Sequence, residues 1–335
     1  MTQVEPKKRV FSGIQPTGKI HLGNYLGALK HWVENQSQFD NIFCIVDLHA
    51  ITIPETVKPD EFKRKILEVA ALFIACGIDS KQSAIFTQSH ISAHAELTWL
   101  LNCVTPIGWI ERMTQYKSKA DRLTTVSAGL LDYPVLQAAD ILLYKADRVP
   151  VGEDQKQHVE LTRDIAQRFH SLFGEVFVIP EPMIWSSGAR IMGLDDPTIK
   201  MSKSLGEQRK GHSIGLTEPP ETIRESILRA VTDSGNEVRF AHGSAGVRNL
   251  LEIFEVISGK TREEIESHFH GKGYNFLKRE VADQVIAALQ PIQDQYSRIM
   301  ADPGHLQQIL REGADRVRPM AEETLRRVKR SMGLV

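Results

Sequence analysis

The fold is indicated first by the stretch RVFSGIQPTGKIHLGN, residues 9–24. Its first six residues form a short apolar segment that runs into a Gly/Pro turn, Gly13 to Gly18. Apolar side chains then recur at helical spacing at Leu22, Leu26 and Leu29. The stretch therefore predicts a strand, a tight turn and a helix, in that order.

Outward from this stretch, strand-like and helix-like segments alternate. The run 41–46 (NIFCIV) is short and apolar and ends at Asp47, and 84–87 is a third strand candidate. Between them, residues 61–76 repeat apolar positions at helical spacing. Strands that alternate with helices of this length predict parallel strands in a Rossmann-like α/β sheet. Such sheets bind ligands at the carboxyl ends of their strands, so we expect the chemistry directly after these three strands.

The second half of the chain has a different pattern. After residues 195–197 no convincing strand occurs, and Pro219-Pro220 precedes a helical pattern that is followed by others at 247–258, 275–291 and 314–332. We predict a catalytic domain over 1–204, a smaller all-helical domain over 205–298, and a terminal helix within 299–335 that packs back on the first domain. Pro319 is expected to start or kink that helix.

Composition excludes several classes of protein. The 41 basic and 42 acidic residues give a net charge of −1, so no overall positive field attracts nucleic acid or membrane. The longest apolar run, 69–78, is too short to cross a bilayer. Three widely spaced cysteines exclude a disulfide scaffold and a clustered four-cysteine zinc site. We expect a cytoplasmic protein of enzyme size with reduced thiols.

The turn after the first strand admits two interpretations. Residues 13–19 fit the phosphate-loop spacing G-x4-G-K, but Ile20 stands where that motif needs a hydroxyl, and Pro16 removes a backbone donor. The alternative lies just beyond, in His21-Leu22-Gly23-Asn24 at a helix start. Free N–H groups there can bind an anion, and Gly23 allows close approach of a nucleotide. Alone, this tetrapeptide could equally be a helix cap.

A second motif, Lys200-Met201-Ser202-Lys203-Ser204, lies far away in sequence. Two lysines flanked by hydroxyl groups suit the phosphates of a nucleotide, in particular a leaving pyrophosphate. A solvated charged loop is the alternative.

Together, the two motifs resemble those of the class I aminoacyl-tRNA synthetases. Further stretches, in order along nearly the whole chain, resemble the bacterial tryptophanyl-tRNA synthetase family: residues 11–18, Val46–Ala50, Ala139–Tyr144, Val149–His158, Ala189–Met192 and Val231–Ser234. The resemblance implies a ligase that converts tryptophan and ATP to tryptophanyl-adenylate and pyrophosphate, and then transfers the tryptophanyl group from the adenylate to the terminal ribose of tRNA(Trp). It also implies a homodimer.

The resemblance assigns nucleotide residues. Because the carboxylate of tryptophan attacks the α-phosphorus itself, catalysis reduces to alignment and charge neutralisation. Lys200 and Lys203, with Lys119 as a third cation and His21, are the expected catalytic groups. Mg²⁺ is expected to arrive with ATP, held by phosphates and water rather than by a protein cage. The remaining expected ATP contacts are Gln15, Pro16, Thr17, Gly23, Asn24, Gly152, Glu153, Asp154, Ile191, Met201, Ser202 and Ser204.

The indole ring supplies a physical test for the amino-acid pocket. Its one polar group, the N–H, is only a donor, so the pocket needs an apolar slot with one deep acceptor. Asp140 lies within an apolar stretch and, as a buried carboxylate, needs a partner such as this N–H. A capping or salt-bridged Asp is the alternative that the resemblance disfavours. The resemblance also implies walls from Phe11, Val149 and Val151, and a polar end for the ammonium and carboxylate formed by His49 and Gln155.

Several features are less informative. Gln137 stands where many family members have Met, so its role is open. His90 and His94 have a metal-ligand spacing but lack the accompanying Glu, so no protein metal site is predicted. The last helix has a surplus of basic residues that either follows a tRNA backbone or faces solvent. The rival functions are a tyrosyl-tRNA synthetase, a non-catalytic RNA-binding paralogue and, through the phosphate-loop spacing, an NTPase.

Overall fold

A five-stranded, wholly parallel sheet forms the centre of the protein. The computed structural model describes residues 6–121, 123–152, 155–184, 190–235 and 237–335. The strands lie in the order β3-β2-β1-β4-β5, so the chain builds outward from β1 to one side and then to the other. Their bounds are β1 Arg9–Ile14, β2 Asp40–Ile45, β3 Ala84–Thr87, β4 Arg148–Pro150 and β5 Glu181–Met183.

Helices make up most of the rest of the described chain. A π-helical turn, Tyr25–Leu29, joins the first two, and none of the described helices is long and apolar enough to span a membrane. The helices are α1 Leu22–Asn24, α2 Lys30–Asn35, α3 Asp47–Ala50, α4 Pro59–Ala75, α5 Ala93–Asn102, α6 Ile107–Glu111, α7 Thr114–Ala120, α8 Ala128–Leu143, α9 Lys156–Phe173, α10 Lys203–Gln208, α11 Pro220–Leu228, α12 Ala245–Ser258, α13 Arg262–Phe269, α14 Tyr274–Met300 and α15 Pro303–Ser331.

The predicted Rossmann-like α/β class is confirmed, and so are the three predicted strands. β4 and β5 escaped prediction because each has three residues and contains a proline, Pro150 or Pro182, so neither shows a readable alternation. β4 pairs with β1 on the side opposite β2, and β5 pairs with β4 at the edge of the sheet. They create the point where the strand order reverses, which is where ligands bind in such sheets.

Apolar residues cover both faces of the sheet, as a parallel sheet requires. One buried cluster joins Phe43 and Ile45 of β2 to α4 and to the helices α11–α14. The other joins Ile42 and Cys44 of the same strand to α5, α8, α9 and α15. The first cluster runs across the predicted division at 204/205, so the helical segment shares its core with one face of the sheet.

The last helix packs directly on β3. A Cβ atom added to Gly313 would lie 1.9 Å from the carbonyl oxygen of Ile85, so only glycine permits this approach. The helix begins at Pro303, inside the predicted terminal segment 299–335 but before the apolar pattern that was read from 314, and Pro319 lies inside it. The expectation that Pro319 starts the helix is therefore wrong. α14 likewise continues past Pro291 to Met300.

Most of the basic side chains on α15 bond to the rest of the chain. Arg316, Arg318 and Arg327 donate to the backbone oxygens of Ser80, His90 and Glu175, at 2.9, 2.9 and 3.4 Å. Lys329 pairs with Glu96 at 2.8 Å, and Arg326 pairs with Glu323 within the helix. The basic surplus therefore serves largely to attach the helix, a use that the two sequence interpretations did not include.

Candidate active site

A cavity of about 320 Å³ opens at the carboxyl ends of the central strands, within the ~300–1,000 Å³ range of small-molecule sites. β1 and β4 contribute residues to it, Val46 directly follows β2, and α8 closes it from one side. Its lining comprises Phe11, Gly13, Gln15, Val46, His49, Lys119, Tyr133, Gln137, Asp140, Ile141, Val149, Pro150, Val151, Gly152 and Gln155. All six residues predicted for the amino-acid pocket are among them.

Asp140 is the centre of a buried hydrogen-bond network. Its Oδ1 accepts from Gln88 Nε2 at 2.6 Å and from His94 Nδ1 at 2.7 Å, and its Oδ2 accepts from His49 Nε2 at 2.8 Å. The carboxylate is 1 % exposed. The partner that a buried carboxylate needs is therefore supplied by three protein donors, and the substrate N–H, which the sequence suggested for this role, would be an additional one.

The network keeps Asp140 ionised and leaves it one acceptor position. Burial alone would raise the pKa of this carboxyl, but the hydrogen bonds from His49 and His94 outweigh burial and hold the pKa at about 2. A carboxylate offers about four lone-pair positions. Two are used on Oδ1 and one on Oδ2, so one position on Oδ2 remains for a donor in the cavity.

His49 does not lie apart from Asp140 as the sequence interpretation assumed. That interpretation put the two residues at opposite ends of the amino acid, whereas their side chains are in contact. Because a carboxylate only accepts, the Nε2 of His49 carries the proton, and in the neutral ring Nδ1 is then an acceptor. His49 could therefore still receive an ammonium N–H, but only through Nδ1.

Gln137 and Lys119 are among the lining residues that lie outside the predicted amino-acid set. Gln137, whose role the sequence left open, lines the cavity together with Lys119. The ammonium of Lys119 lies 4.4 Å from the centre of the Tyr133 ring, a cation–π arrangement, and burial lowers the pKa of this lysine. Lys119 thus brings a positive charge to the cavity wall.

The two distant sequence motifs lie in contact beside the cavity. Lys203 Nζ donates to the backbone oxygen of Gln15 at 3.1 Å, across 188 residues of sequence. Gly18 has a φ of +61°, and a Cβ atom there would lie 2.8 Å from the Cβ of Lys203. Burial lowers the pKa of Lys203 to about 8, and Glu207 partly opposes this effect. The turn after β1 and the Lys200–Ser204 motif therefore form one surface.

His21 begins α1 and is held as a neutral ring. Its Nδ1 accepts from the backbone N–H of Asn24 at 3.3 Å, while Asn24 Oδ1 accepts from the N–H of His21 at 3.2 Å. Burial, reinforced by the charges of Lys203 and Lys200, lowers the pKa of His21 to about 3. Because Nδ1 is an acceptor, the proton lies on Nε2, which is the donor that His21 offers. The helix-cap interpretation is therefore right for Nδ1 of His21, whereas Nε2 is not used by the cap.

Some of the other residues predicted to contact ATP pack in the core or cap a helix. Ile191 and Met201 are buried in the core, and their backbones are joined by a hydrogen bond from Met201 N to Ile191 O at 3.1 Å. Only their backbone atoms are therefore candidates for nucleotide contact. Ser202 caps α10 through Leu205 N, so the motif opens a helix rather than a simple loop. Glu153 and Asp154 lie outside the described residues, as does the side chain of Ser204.

The other residues predicted to contact ATP lie beside the second motif or line one of two cavities. A Cβ atom at Gly23 would lie 3.1 Å from Nδ1 of His21 and 3.4 Å from the Cβ of Met201, so Gly23 lies against both the His21 ring and the second motif. Pro16 and Thr17 line a smaller cavity of about 110 Å³ with Glu207. Gly152, Gln15 and Lys119 line the large cavity instead.

The structure disfavours two alternatives from the sequence. Lys19, the lysine of the phosphate-loop spacing, pairs with Glu218 at 3.4 Å. His94 of the metal-like His90/His94 pair bonds to Asp140 and Tyr144. Among the described residues, no group of three His, Cys, Asp or Glu side chains could hold a metal ion.

Comparison with known families agrees with this geometry. Residues 3–290 match the family model described as tRNA synthetases class I (W and Y). The chain belongs to this family of class I tRNA synthetases. The match covers both nucleotide motifs and the whole lining of the large cavity.

Members of this synthetase family resemble the chain over its whole length. A tryptophan–tRNA ligase of Wolinella succinogenes is 53% identical over 98% of this chain and 99% of its own. The tryptophanyl-tRNA synthetase of Mycoplasma pneumoniae superposes with a TM-score of 0.90 at 34% identity, over 98% of both chains. The Campylobacter jejuni tryptophanyl-tRNA synthetase, complexed with ADP and tryptophan, gives 0.84 at 34% identity, over 97% and 100%.

Sequence reasoning missed three members of the Asp140 network. Gln88 directly follows β3, where chemistry was expected but no residue was chosen. His94 was considered only as a metal ligand, and Tyr144 only as part of the family stretch 139–144. The position of Gln88 after a strand was a signal that could have found it. His94 and Tyr144 required the packing of α5 against α8, which is visible only in three dimensions.

Proposed function

We propose that this chain is an ATP-dependent tryptophan–tRNA ligase. It activates L-tryptophan with ATP to tryptophanyl-adenylate and pyrophosphate, and then transfers the tryptophanyl group to the 3′-terminal ribose of tRNA(Trp). The observation that carries the proposal is the 320 Å³ cavity, which has Phe11, Val149 and Val151 as apolar lining residues and Asp140 as the one carboxylate among its described lining residues, with one acceptor position left. The full-length likeness to tryptophan–tRNA ligases supports it.

In the proposed site, tryptophan lies in the 320 Å³ cavity. Its indole N–H donates to Asp140 Oδ2, and Phe11, Val149 and Val151 form the walls. His49, through Nδ1, and Gln155 take the ammonium and carboxylate. A site built to bond a substrate donor rejects an analogue without it by about 10⁴–10⁵. This is how phenylalanine is excluded.

ATP binds beside the tryptophan, over the surface formed by the turn after β1 and the Lys200–Ser204 motif. Lys200, Lys203 and Lys119 neutralise the departing pyrophosphate, and His21 donates through Nε2. The other expected ATP residues keep their proposed contacts: Gln15, Pro16, Thr17, Gly23, Asn24, Gly152, Glu153, Asp154, Ile191, Met201, Ser202 and Ser204. The loss of one such preorganised donor typically costs about 2.7–4 kcal/mol of barrier. Mg²⁺ arrives as part of the nucleotide substrate, with phosphate oxygens as its ligands.

The larger assembly is also part of the proposal. Residues 1–204 form the catalytic domain, 205–298 meet the anticodon side of tRNA(Trp), and the terminal segment 299–335 supports the catalytic domain. We propose a homodimer that works in the cytoplasm. Large apolar side chains at Trp99 and Ile107, 68% and 62% exposed, suit a subunit interface.

Amino-acid-dependent exchange of pyrophosphate into ATP tests the activity directly. All twenty amino acids are assayed one at a time with the purified protein. Tryptophan should support exchange, and tyrosine and phenylalanine should not. Exchange with tyrosine but not tryptophan would identify a tyrosyl-tRNA synthetase. ATP hydrolysis without any amino acid would revive the NTPase, and no exchange at all would favour the non-catalytic paralogue.

A further inference from the structure

The carboxylate of Asp140 is held from three separate elements. His49 comes from α3, Gln88 from the turn after β3, and His94 from α5. Gln88 also ties two of these together, because its Oε1 accepts from the backbone N–H of Leu48 at 3.1 Å while its Nε2 donates to Asp140. The plane of the carboxylate is therefore fixed by packing before any ligand binds.

The hydrogen-bond partners of His94 determine which of its ring nitrogens carries the proton. Asp140 Oδ1 only accepts, so Nδ1 of His94 carries the proton. In the neutral ring Nε2 is then an acceptor, and the hydroxyl of Tyr144 donates to it at 2.6 Å. A directed chain runs from the Tyr144 hydroxyl through His94 to Asp140.

Tyr144 is itself immobilised behind the cavity wall. Its ring stacks on Phe11 with 5.6 Å between ring centres and a 9° angle, and meets Phe86 edge-on at 5.7 Å. Phe11 lines the cavity, whereas Tyr144 is fully buried. The same stack thus supports the wall of the indole slot and the residue that orients its acceptor.

We propose that His94 is a positioning residue for indole recognition: with Gln88 it occupies both acceptor positions of Asp140 Oδ1, so that the open position on Oδ2 is aimed into the cavity. The proposal deepens the proposed function and rests on tryptophan being the substrate bound there. His94 itself does not line the cavity, so it acts through Asp140. Without its bond, Oδ1 keeps only the bond from Gln88 and has one unfilled buried acceptor position, so the carboxylate can turn toward the cavity or take up water.

Two substitutions at His94 distinguish a role in orienting Asp140 from a role in packing alone. His94→Leu removes the donor to Asp140. His94→Asn keeps a donor where Nδ1 stands. Each is assayed by ATP–pyrophosphate exchange with tryptophan and with 3-(benzothiophen-3-yl)alanine, in which sulfur replaces the indole N–H. The readout is the ratio of kcat/KM for the two amino acids.

We expect His94→Leu to lower this ratio by at least about tenfold and His94→Asn to keep it within about threefold of the wild type. Tyr144→Phe, which keeps the ring stack, should lower it less than His94→Leu and provides the test if that variant does not fold. A purely structural role would reduce both kcat/KM values equally and leave the ratio unchanged, which would overturn the proposal. A wild type that does not discriminate would instead refute the proposed role of Asp140.

Discussion

At the scale of single residues, Asp140 illustrates what a sequence can and cannot reveal. An ionisable group inside an apolar stretch identified it as a special position. The number of its hydrogen bonds did not follow from that stretch, because Gln88, His94 and His49 lie 52, 46 and 91 residues away. The residue was predictable, but its bonding partners were set by tertiary packing.

Lys203 gives a prediction about pH. Burial lowers its pKa to about 8, so the ammonium is charged below that pH and loses its charge as the pH rises through it. Because kcat/KM reports the free enzyme, kcat/KM for ATP in the exchange reaction should fall as the pH rises through about 8. In Lys203→Arg the guanidinium stays charged, so this fall should disappear even if activity is lower throughout.

Lys210→Arg is the matched control, because Lys210 lies just after the same helix and is exposed, pairing with Glu225 at 3.8 Å. Its pH profile should follow the wild type. An unchanged alkaline fall in Lys203→Arg would mean that another group titrates there.

At the scale of elements, strands and helices with a full period were predictable and short or proline-containing ones were not. β1 and β3 were predicted with the bounds that the structure shows, and β2 was predicted one residue late. β4 and β5 were missed, and the apolar patterns read at 275–291 and 314–332 are shorter than α14 and α15. The first pattern stopped at Pro291, and the second left out Leu306 and Leu310, which are buried in the first turns of α15. Both long helices are stabilised by packing rather than by local preference.

The contact between α15 and β3 gives a prediction about stability. In Gly313→Ala the new Cβ meets the backbone oxygen of Ile85, which cannot rotate away. We expect the free energy of unfolding in urea to fall by about 1–3 kcal/mol, the usual cost of overpacking. Gly304→Ala, in the first turn of the same helix, meets only Asp302 Oδ1 at 3.5 Å and should be neutral or slightly stabilising. Equal stability of the two variants would contradict the close approach.

At the scale of the whole molecule, the residues predicted for the two substrates belong to core clusters on opposite faces of the sheet. Leu22 and Met201, from the nucleotide motifs, belong to the core cluster that includes α11–α14. Phe11 and Val149, from the large cavity, belong to the cluster that includes α8 and α15. The two sides meet where Lys203 bonds to Gln15. The alternation of strands and helices predicted the sheet, but not which face of it each set of predicted site residues would pack on.

A structure of the protein with tryptophan bound tests the central claim most directly. The account predicts the indole nitrogen within about 3.2 Å of Asp140 Oδ2, with Gln88 and His94 still bonded to Oδ1. An indole nitrogen that bonds to another group, while His49 remains the sole partner of Oδ2, would contradict it.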